Sequence, residues 1–219
     1  MSTKPVAHQV VPGARGAESA TAQEGAVRPR DSLFHWCGSA DAIRAATTPL
    51  EKRSILDAYF TAVAEESVSP AARFFAGAFF PLTDSGTRRI AREIVVDAIQ
   101  EIARVDSDDL HGRCAKPGDI GSVAAEVFAG RLPSGIAMRE VAGWADELAA
   151  AAEADAQRGL VGDMLAHLSS LEARYVVDLI VGELDIGLAP ADVEGAVAAR
   201  YASSGSERRP DRRRKKRRA

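Results

Sequence analysis

Apolar residues between Leu168 and Leu184 recur every three to four positions, the spacing that places side chains on one face of a helix. The members of this stripe are Leu168, Leu171, Tyr175, Val176, Leu179, Ile180 and Leu184. Ser169 followed by Glu172 predicts a capping box at the start of this helix, and Gly187 stands where a left-handed residue would end it. The pattern predicts a core helix over about 171–187.

Similar patterns predict eight further helices, bounded by capping residues, prolines and glycines. They cover about 39–46, 48–63, 69–80, 87–105, 118–129, 138–152, 155–168 and 190–201. Residues 106–116 carry mostly polar side chains and are predicted to form a connection, and no stretch has the alternation of a strand. The prediction is an all-α, single domain of about nine antiparallel-packed helices over 32–202, with a disordered arm over 1–31 and a basic, disordered tail over 203–219.

The net charge of −3 averages two different regions. Nine Lys or Arg and one Asp lie between Arg208 and Ala219, whereas 19 basic and 30 acidic residues precede them, a net charge of −11. The body is therefore acidic and the tail strongly cationic. Such a tail favours phosphate-rich partners, although RNA, an acidic protein or the acidic body itself are alternative partners.

Cysteine usage and hydropathy exclude several protein classes. The two cysteines, Cys37 and Cys114, do not have the spacing of a disulfide framework or a four-cysteine zinc site. The sequence contains no run of about 18 apolar residues that would predict a membrane span, and its N-terminus lacks a secretory signal pattern. We expect a soluble cytoplasmic protein, associated with the nucleoid if it binds DNA. The Ala- and Arg-rich composition suggests a bacterial origin.

The core-helix sequence Glu-Ala-Arg-Tyr-Val-Val-Asp-Leu-Ile-Val-Gly-Glu-Leu-Asp-Ile-Gly resembles the last long helix of the N-terminal DNA-binding domain of ATP-dependent DNA ligases. The resemblance extends upstream through Gly118-Asp119-Ile120-Gly121 and to Phe74–Pro81, and downstream to about Tyr201. It implies a function in DNA repair and recombination. Two positions differ, because Asp178 and Asp185 stand where the family usually has arginine. Two anions in place of two cations work against phosphate binding.

The same resemblance implies that the family's catalytic lysine belongs to a separate adenylation domain, in a Lys-x-Asp-Gly motif. None of the five lysines here begins that motif, and no phosphate-binding loop pattern is present. We therefore predict no catalytic residues and no cofactor in this chain. ATP and Mg²⁺ are expected only if a separate adenylation domain is present.

Two acidic groups invite a chemical interpretation but fit a structural one better. His111 and Cys114 follow Asp106, Asp108 and Asp109 without the spacing of a zinc or calcium site, so no metal is predicted. Four carboxylates on the core helix are predicted to form its solvated face, with Arg174 and Asp178 as a possible ion pair. They are Glu172, Asp178, Glu183 and Asp185.

The resemblance implies contact of the body with the minor groove and backbone of nicked duplex DNA, through helix ends and loops. The predicted DNA-binding residues of the body are Gly118, Gly121, Arg158, Arg174 and Gly187. Those of the tail are Arg208, Arg209, Arg212, Arg213, Arg214, Lys215, Lys216, Arg217 and Arg218. The tail contains no aromatic residue on which bases could stack, so its binding is expected to be electrostatic and independent of sequence.

Two alternatives remain open at this stage. In the first, an acidic face around Asp178 and Asp185 binds a basic protein partner, and the tail only tethers the complex to nucleic acid. In the second, the chain is a ligase fragment from a disrupted reading frame. A separate ligase catalytic domain is a further possible partner.

Overall fold

The computed structural model describes residues 30–81, 89–115 and 119–206, except for the side chains of Asp119 and of residues 204–206. Within these ranges the chain forms ten α-helices, and the only β-type pairing is an isolated bridge between Ser32 and Ala137. The helices are α1 (Leu33–Ala45), α2 (Pro49–Ala62), α3 (Glu65–Phe75), α4 (Arg92–Ala103), α5 (Ser107–Arg113), α6 (Asp119–Val127), α7 (Met138–Ala150), α8 (Ala154–His167), α9 (Ser170–Val181) and α10 (Pro190–Ser206). The all-α prediction is confirmed.

Nine helices were predicted, and the additional helix in the structure is α5. It lies in a segment that was predicted to be a polar connection. The side chain of Asp106 accepts a hydrogen bond from the backbone N–H of Asp109 at 3.0 Å and so caps a seven-residue helix. Leu110 is the one buried residue of that helix. A single apolar anchor gives no periodicity, which is why the sequence pattern did not indicate a helix there.

Capping side chains fix the starts of α1 and α2. The predicted capping box of α2 is confirmed, because Thr48 Oγ1 accepts from Glu51 N while Glu51 Oε2 accepts from Thr48 N. The start of α1 was predicted too late. Ser32 rather than Ser39 is its cap, with Ser32 Oγ accepting from the N–H of His35 at 3.2 Å.

Helix α3 also begins earlier than predicted, at Glu65, and Pro70 lies inside it rather than at its start. A proline removes one backbone hydrogen bond from a helix, and here tertiary packing outweighs that loss. Val68, Phe74 and Phe75 of α3 are buried around it. Helix α4 begins at Arg92 rather than 87, and residues 82–88 lie outside the described part of the chain.

The core helix α9 begins as predicted, with a capping box between Ser169 and Glu172. Its predicted end at Gly187 is wrong, because the helix ends at Val181 and Gly182 is its C-terminal cap. Gly187 also has a positive φ, of 65°, but it lies in the segment that follows the helix.

The cap at Gly182 has the geometry that favours glycine. Its φ is 72°, and its backbone N–H donates to the carbonyl oxygens of Asp178 and Leu179 in the last turn of α9. A positive φ of this size is unfavourable for residues with a Cβ atom, so a glycine at this position ends the helix at little cost.

Helix α9 is the centre of the packing. It lies against α6, α1 and α4, and every residue from Tyr175 to Val181 is buried. Tyr175 meets the ring of Trp36 edge-on at 6.1 Å between centroids, and Trp36 in turn contacts Phe74 and Phe75 of α3. The aromatic residues that the sequence places far apart therefore form one continuous core.

The buried carboxylate of Glu172 ties the start of α9 to the segment before α7. It accepts hydrogen bonds from the N–H and hydroxyl of Ser169, at 2.9 and 2.6 Å, and from the N–H and hydroxyl of Ser134, at 3.1 and 2.7 Å. Glu172 is fully buried, so its predicted place on a solvated face is wrong. These four donors replace the water that the charged group has lost.

The last helix, α10, begins at Pro190 as predicted and continues to Ser206. It packs on α2 and α3, and Arg200 donates to the carbonyl oxygens of Phe60 and Val63 at the C-terminal end of α2. Most of the predicted arm, residues 1–29, and most of the predicted tail, residues 207–219, lie outside the described residues.

Candidate nucleic-acid interface

The first turn of α6, the middle of α9 and the end of α1 meet at one face of the domain. A Cβ atom built on Gly121 of α6 would lie 2.2 Å from Oδ1 of Asp178, so only glycine fits this contact. Three residues before Asp178 on α9, the hydroxyl of Tyr175 donates to Asp41 of α1 at 2.8 Å. The close packing of these helices brings the predicted residues Gly121 and Arg174 together.

Two guanidinium groups flank the ring of Tyr175 on this face. The Cζ atom of Arg44 lies 5.8 Å from the ring centroid and that of Arg174 lies 5.9 Å from it, within the range of cation–π contacts. Arg174 also donates to the hydroxyl of Ser122, next to Gly121, at 3.4 Å. Two cations beside a helix N-terminus form an arrangement that attracts anions.

Asp178 lies against Gly121 in the first turn of α6 and is only 9% exposed. Its Oδ1 atom is buried without a hydrogen-bond partner among the described residues. Burial raises the pKa of this carboxyl to about 7, against the lowering effect of Arg174, and Glu183 adds to the rise. The predicted solvated position of Asp178 is wrong. Its predicted ion pair with Arg174 is not among the ion pairs of the described residues.

The segment after α9 is held by cations from two distant helices. Arg92 of α4 contacts both carboxylate oxygens of Glu183, at 2.5 and 2.6 Å. Lys52 of α2 donates to the carbonyl oxygens of Ile186 and Gly187, at 3.1 Å each. The backbone of the predicted residue Gly187 is therefore fixed by a side chain that enters from α2.

The backbone N–H of Gly187 is also occupied, because it donates to Oδ1 of Asp185 at 3.1 Å. Asp185 itself is exposed, as predicted for the solvated face. It holds the turn in which it lies.

Arg158 lies apart from this face. It contacts Asp155 at 3.1 Å and Glu101 at 3.9 Å, near the C-terminal end of α4. The contact of Arg92 with Glu183 is at the opposite end of α4, a helix of twelve residues and so about 18 Å long. The structure brings Gly121 and Arg174 together, places Gly187 in the segment after α9, and separates Arg158 from them.

The remaining predicted DNA-binding residues are Gly118 and the tail residues from Arg208 to Arg218, which lie outside the described residues. No sequence pattern indicated that Arg44 lies at this face, or that Lys52 and Arg92 hold the segment after α9. They precede α9 by about 80 residues or more, and no linear spacing connects them to it.

The acidic groups considered for metal binding do not assemble within the described ranges. His111 lies 3.6 Å from Asp97 and contacts Ser107, whereas Cys114 is buried at the end of α5. Across the described residues, no group of three or more His, Cys, Asp or Glu side chains is placed to hold a metal ion. None of the described helices is long and apolar enough to cross a membrane.

Comparison with known proteins identifies the relatives of this fold. A family model described as DNA ligase N terminus matches residues 33–198, which is most of the chain. The chain belongs to the DNA ligase N-terminal family. The match lies within the helical domain that was predicted over 32–202, and the resemblance inferred from the sequence of α9 is confirmed.

Curated relatives of the DNA ligase N-terminal family include a probable DNA ligase of Opitutus terrae, 28% identical over 204 residues. A DNA ligase of Natronomonas pharaonis is 31% identical over 180 residues. The alignments cover 77% and 74% of this chain but only 20% and 33% of those two proteins. The chain thus corresponds to a fifth to a third of the length of these relatives.

Proposed function

We propose that this member of the DNA ligase N-terminal family binds duplex DNA without sequence specificity, near nicks, through the face formed by α1, α6 and α9. The observation that carries the proposal is the position of Arg44 and Arg174 around Tyr175, beside the first turn of α6. Guanidinium groups and helix N-termini are the usual partners of phosphate oxygens, and contacts to phosphates position a protein without reading bases.

The cationic tail supplies non-specific affinity in this proposal. If its nine Lys and Arg residues all neutralise duplex phosphates, the log–log dependence of affinity on salt has a slope of about −8. The body then contributes recognition of shape. The combination suits a role in DNA repair and recombination.

The proposed role is binding rather than catalysis. Transfer of AMP, with ATP and Mg²⁺, is assigned to an adenylation domain outside the helical domain described here. Support comes from the lysines of the chain, none of which begins a Lys-x-Asp-Gly motif.

The alternative of an acidic protein-binding face has less support. Of the two residues on which it rested, Asp178 is 9% exposed and only Asp185 is exposed. A buried carboxylate offers little to a basic partner protein.

The proposal is tested by fluorescence anisotropy with nicked and intact duplexes at two salt concentrations, using the full chain. We expect tighter binding to the nicked duplex, and affinity that falls about three- to tenfold in Arg174→Gln because one phosphate contact is lost. Arg139→Gln is the matched control, because Arg139 is exposed on α7, a helix that packs mainly on α3 and α8. Equal binding by the two variants, without preference for the nick, would contradict the proposal.

A further inference from the structure

Asp178 combines two features that do not occur together elsewhere on the described part of α9. It is nine-tenths buried, and its Oδ1 atom has no hydrogen-bond partner there. The carboxylate points at the first turn of α6, a nine-residue helix, where it leaves no room for a side chain on Gly121.

The first turn of a helix presents backbone N–H groups that lack partners within the helix, and the helix dipole adds partial positive charge. An anion from outside is attracted to this position. Here a carboxylate of the protein itself already lies against it. Because Oδ1 is buried and unpartnered, the charged form of Asp178 is costly and easily converted to the neutral form.

We propose that the Asp178 carboxylate competes with a DNA phosphate for the position at the first turn of α6. DNA binding then neutralises Asp178, because its carboxylate takes up a proton from solvent. This inference rests on the proposed function, since it requires DNA to approach the face formed by α1, α6 and α9. In this scheme the negative charge of Asp178 opposes the approach of a phosphate in the free protein, and binding is coupled to pH.

The charged groups around Asp178 determine the direction of the coupling. Arg44 of α1 and Arg174 of α9 favour its charged form, whereas Glu183 after α9 opposes it. Asp41 of α1 pairs with Arg44, and Glu183 pairs with Arg92 of α4. From α6 the facing group is the backbone N–H of Gly121.

A phosphate that approaches Arg44 and Arg174 adds negative charge near Asp178 and draws the two cations towards DNA. Both effects favour the protonated carboxyl. The proton comes from solvent, no covalent bond other than O–H forms, and the net charge of the face becomes more positive by one. Acidification should therefore strengthen binding.

The experiment is isothermal titration calorimetry of the full chain with a nicked duplex at pH 7.5, in two buffers with different ionisation enthalpies. The difference in observed enthalpy gives the number of protons taken up on binding. We expect about half a proton for the wild type and almost none for Asp178→Asn, which keeps the shape of the side chain but does not titrate. The variant should also bind several-fold tighter at pH 8.

Asp185→Asn is the matched control, because it removes an exposed carboxylate from the neighbouring segment. It should retain the proton uptake of the wild type. If Asp178→Asn takes up as many protons as the wild type, the inference is overturned while the proposed function stands. If none of the proteins binds DNA, both fail.

A second measurement does not depend on the folding of a variant. Carbon-detected NMR of the Asp178 carboxyl in the wild-type full chain gives its titration with and without the duplex. We expect the apparent pKa to rise on DNA binding. An unchanged or lowered pKa in the complex overturns the inference.

Discussion

The start and the last turns of α9 each bury a carboxylate, but they hold it in different ways. Glu172, at the start, is fully buried and accepts hydrogen bonds from both the N–H and the hydroxyl of Ser134 and Ser169. Asp178, further along the helix, is almost as deeply buried, yet its Oδ1 has no partner among the described residues. The comparison teaches that the donors around a buried acid, more than its depth, decide whether it stabilises the fold.

The difference follows from the surroundings of each residue. Glu172 faces two serines that a capping box and a tight segment before α7 bring together. Asp178 faces Gly121 and lies near Arg44 and Arg174, the two arginines of the proposed DNA-binding face. Incomplete satisfaction of a polar group is characteristic of positions that act in function rather than in stability.

The largest effect on stability is expected from the loss of Glu172, the carboxylate with four hydrogen-bond donors. Glu172→Ala leaves the donor groups of the buried Ser169 and the half-buried Ser134 without their acceptor, and we expect the free energy of unfolding to fall by about 3 kcal/mol or more. Urea denaturation at pH 7 measures it. Glu140→Ala, at an exposed position of α7, is the control and should change the stability little. A loss no larger than that of the control would remove the contrast between the two carboxylates.

The second prediction is that removing the charge of Asp178 stabilises the protein, whereas removing Glu172 destabilises it. Asp178 has a pKa of about 7 in the fold, above the value near 3.9 of an unfolded chain, so the native state binds more protons. The stability from this group therefore falls as the pH rises from about 4 through 7. Asp178→Asn should stabilise the protein at pH 8 by an amount on the order of 3 kcal/mol, and this advantage should shrink towards pH 4.

Urea denaturation of the wild type and the variant across pH 4–8 measures this difference. Asp185→Asn should follow the wild type, since its carboxylate is exposed. Parallel curves for the wild type and Asp178→Asn would mean that Asp178 is not the buried acid that titrates.

A third prediction concerns the contact between α6 and α9. Gly121→Ala places a methyl group against the Asp178 carboxylate, and we expect a destabilisation of about 2 kcal/mol. In an Asp178→Ala background the cost should largely disappear, because the clashing atoms are gone. A double-mutant cycle by urea denaturation measures this coupling.

Gly159→Ala is the matched control for that cycle. Gly159 lies in α8 with open space where a Cβ atom would be, so alanine should stabilise the helix by about 0.5–1 kcal/mol. If Gly121→Ala behaved like Gly159→Ala, the close approach of α6 to Asp178 would be disproved.

The smallest effect is expected for Glu51, in a comparison of the two capping boxes. Glu51 and Glu172 hold the same position in their motifs, but Glu51 is exposed and Glu172 is buried. Hydrogen bonds from the backbone N–H and the hydroxyl of Thr48 lower the pKa of Glu51. Its contribution to stability is therefore present above the unfolded pKa and is lost as the pH falls through the folded value.

Glu51→Gln should shift the urea midpoint much less than Glu172→Gln, measured side by side at pH 7. Its effect should fade on acidification because the carboxylate that accepts these hydrogen bonds becomes protonated in the wild type. Equal shifts for the two glutamine variants would show that burial adds nothing to a capping box.

The sequence predicted the elements with strong local signals. The capping boxes at Thr48 and Ser169 and the helix start at Pro190 are local, and each is confirmed. The end of α9 was wrong because Gly182 and Gly187 both suit a left-handed position, and local pattern does not choose between them. Only the structure shows that the chain leaves the helix at the first of the two.

The candidate site was less accessible to prediction. Glu172 and Asp178 look like the polar face of an amphipathic helix, but α9 is covered on more than one side by α1, α4 and α6. Coverage of this kind depends on contacts between segments more than 50 residues apart in sequence, such as Gly121 with Asp178. The family resemblance indicated Arg174 and Gly121. Only the packing of the helices shows that Arg44 lies at the face and that Lys52 holds the segment after α9.

The central place of α9 also has a consequence for the order of synthesis. A ribosome makes the first eight described helices before the one on which α1, α4 and α6 pack. Until then, Trp36 lacks its contact with Tyr175, and apolar surface of the nascent chain stays open to chaperones or to aggregation. The core and the proposed DNA-binding face are thus completed together, only once α9 has been synthesised.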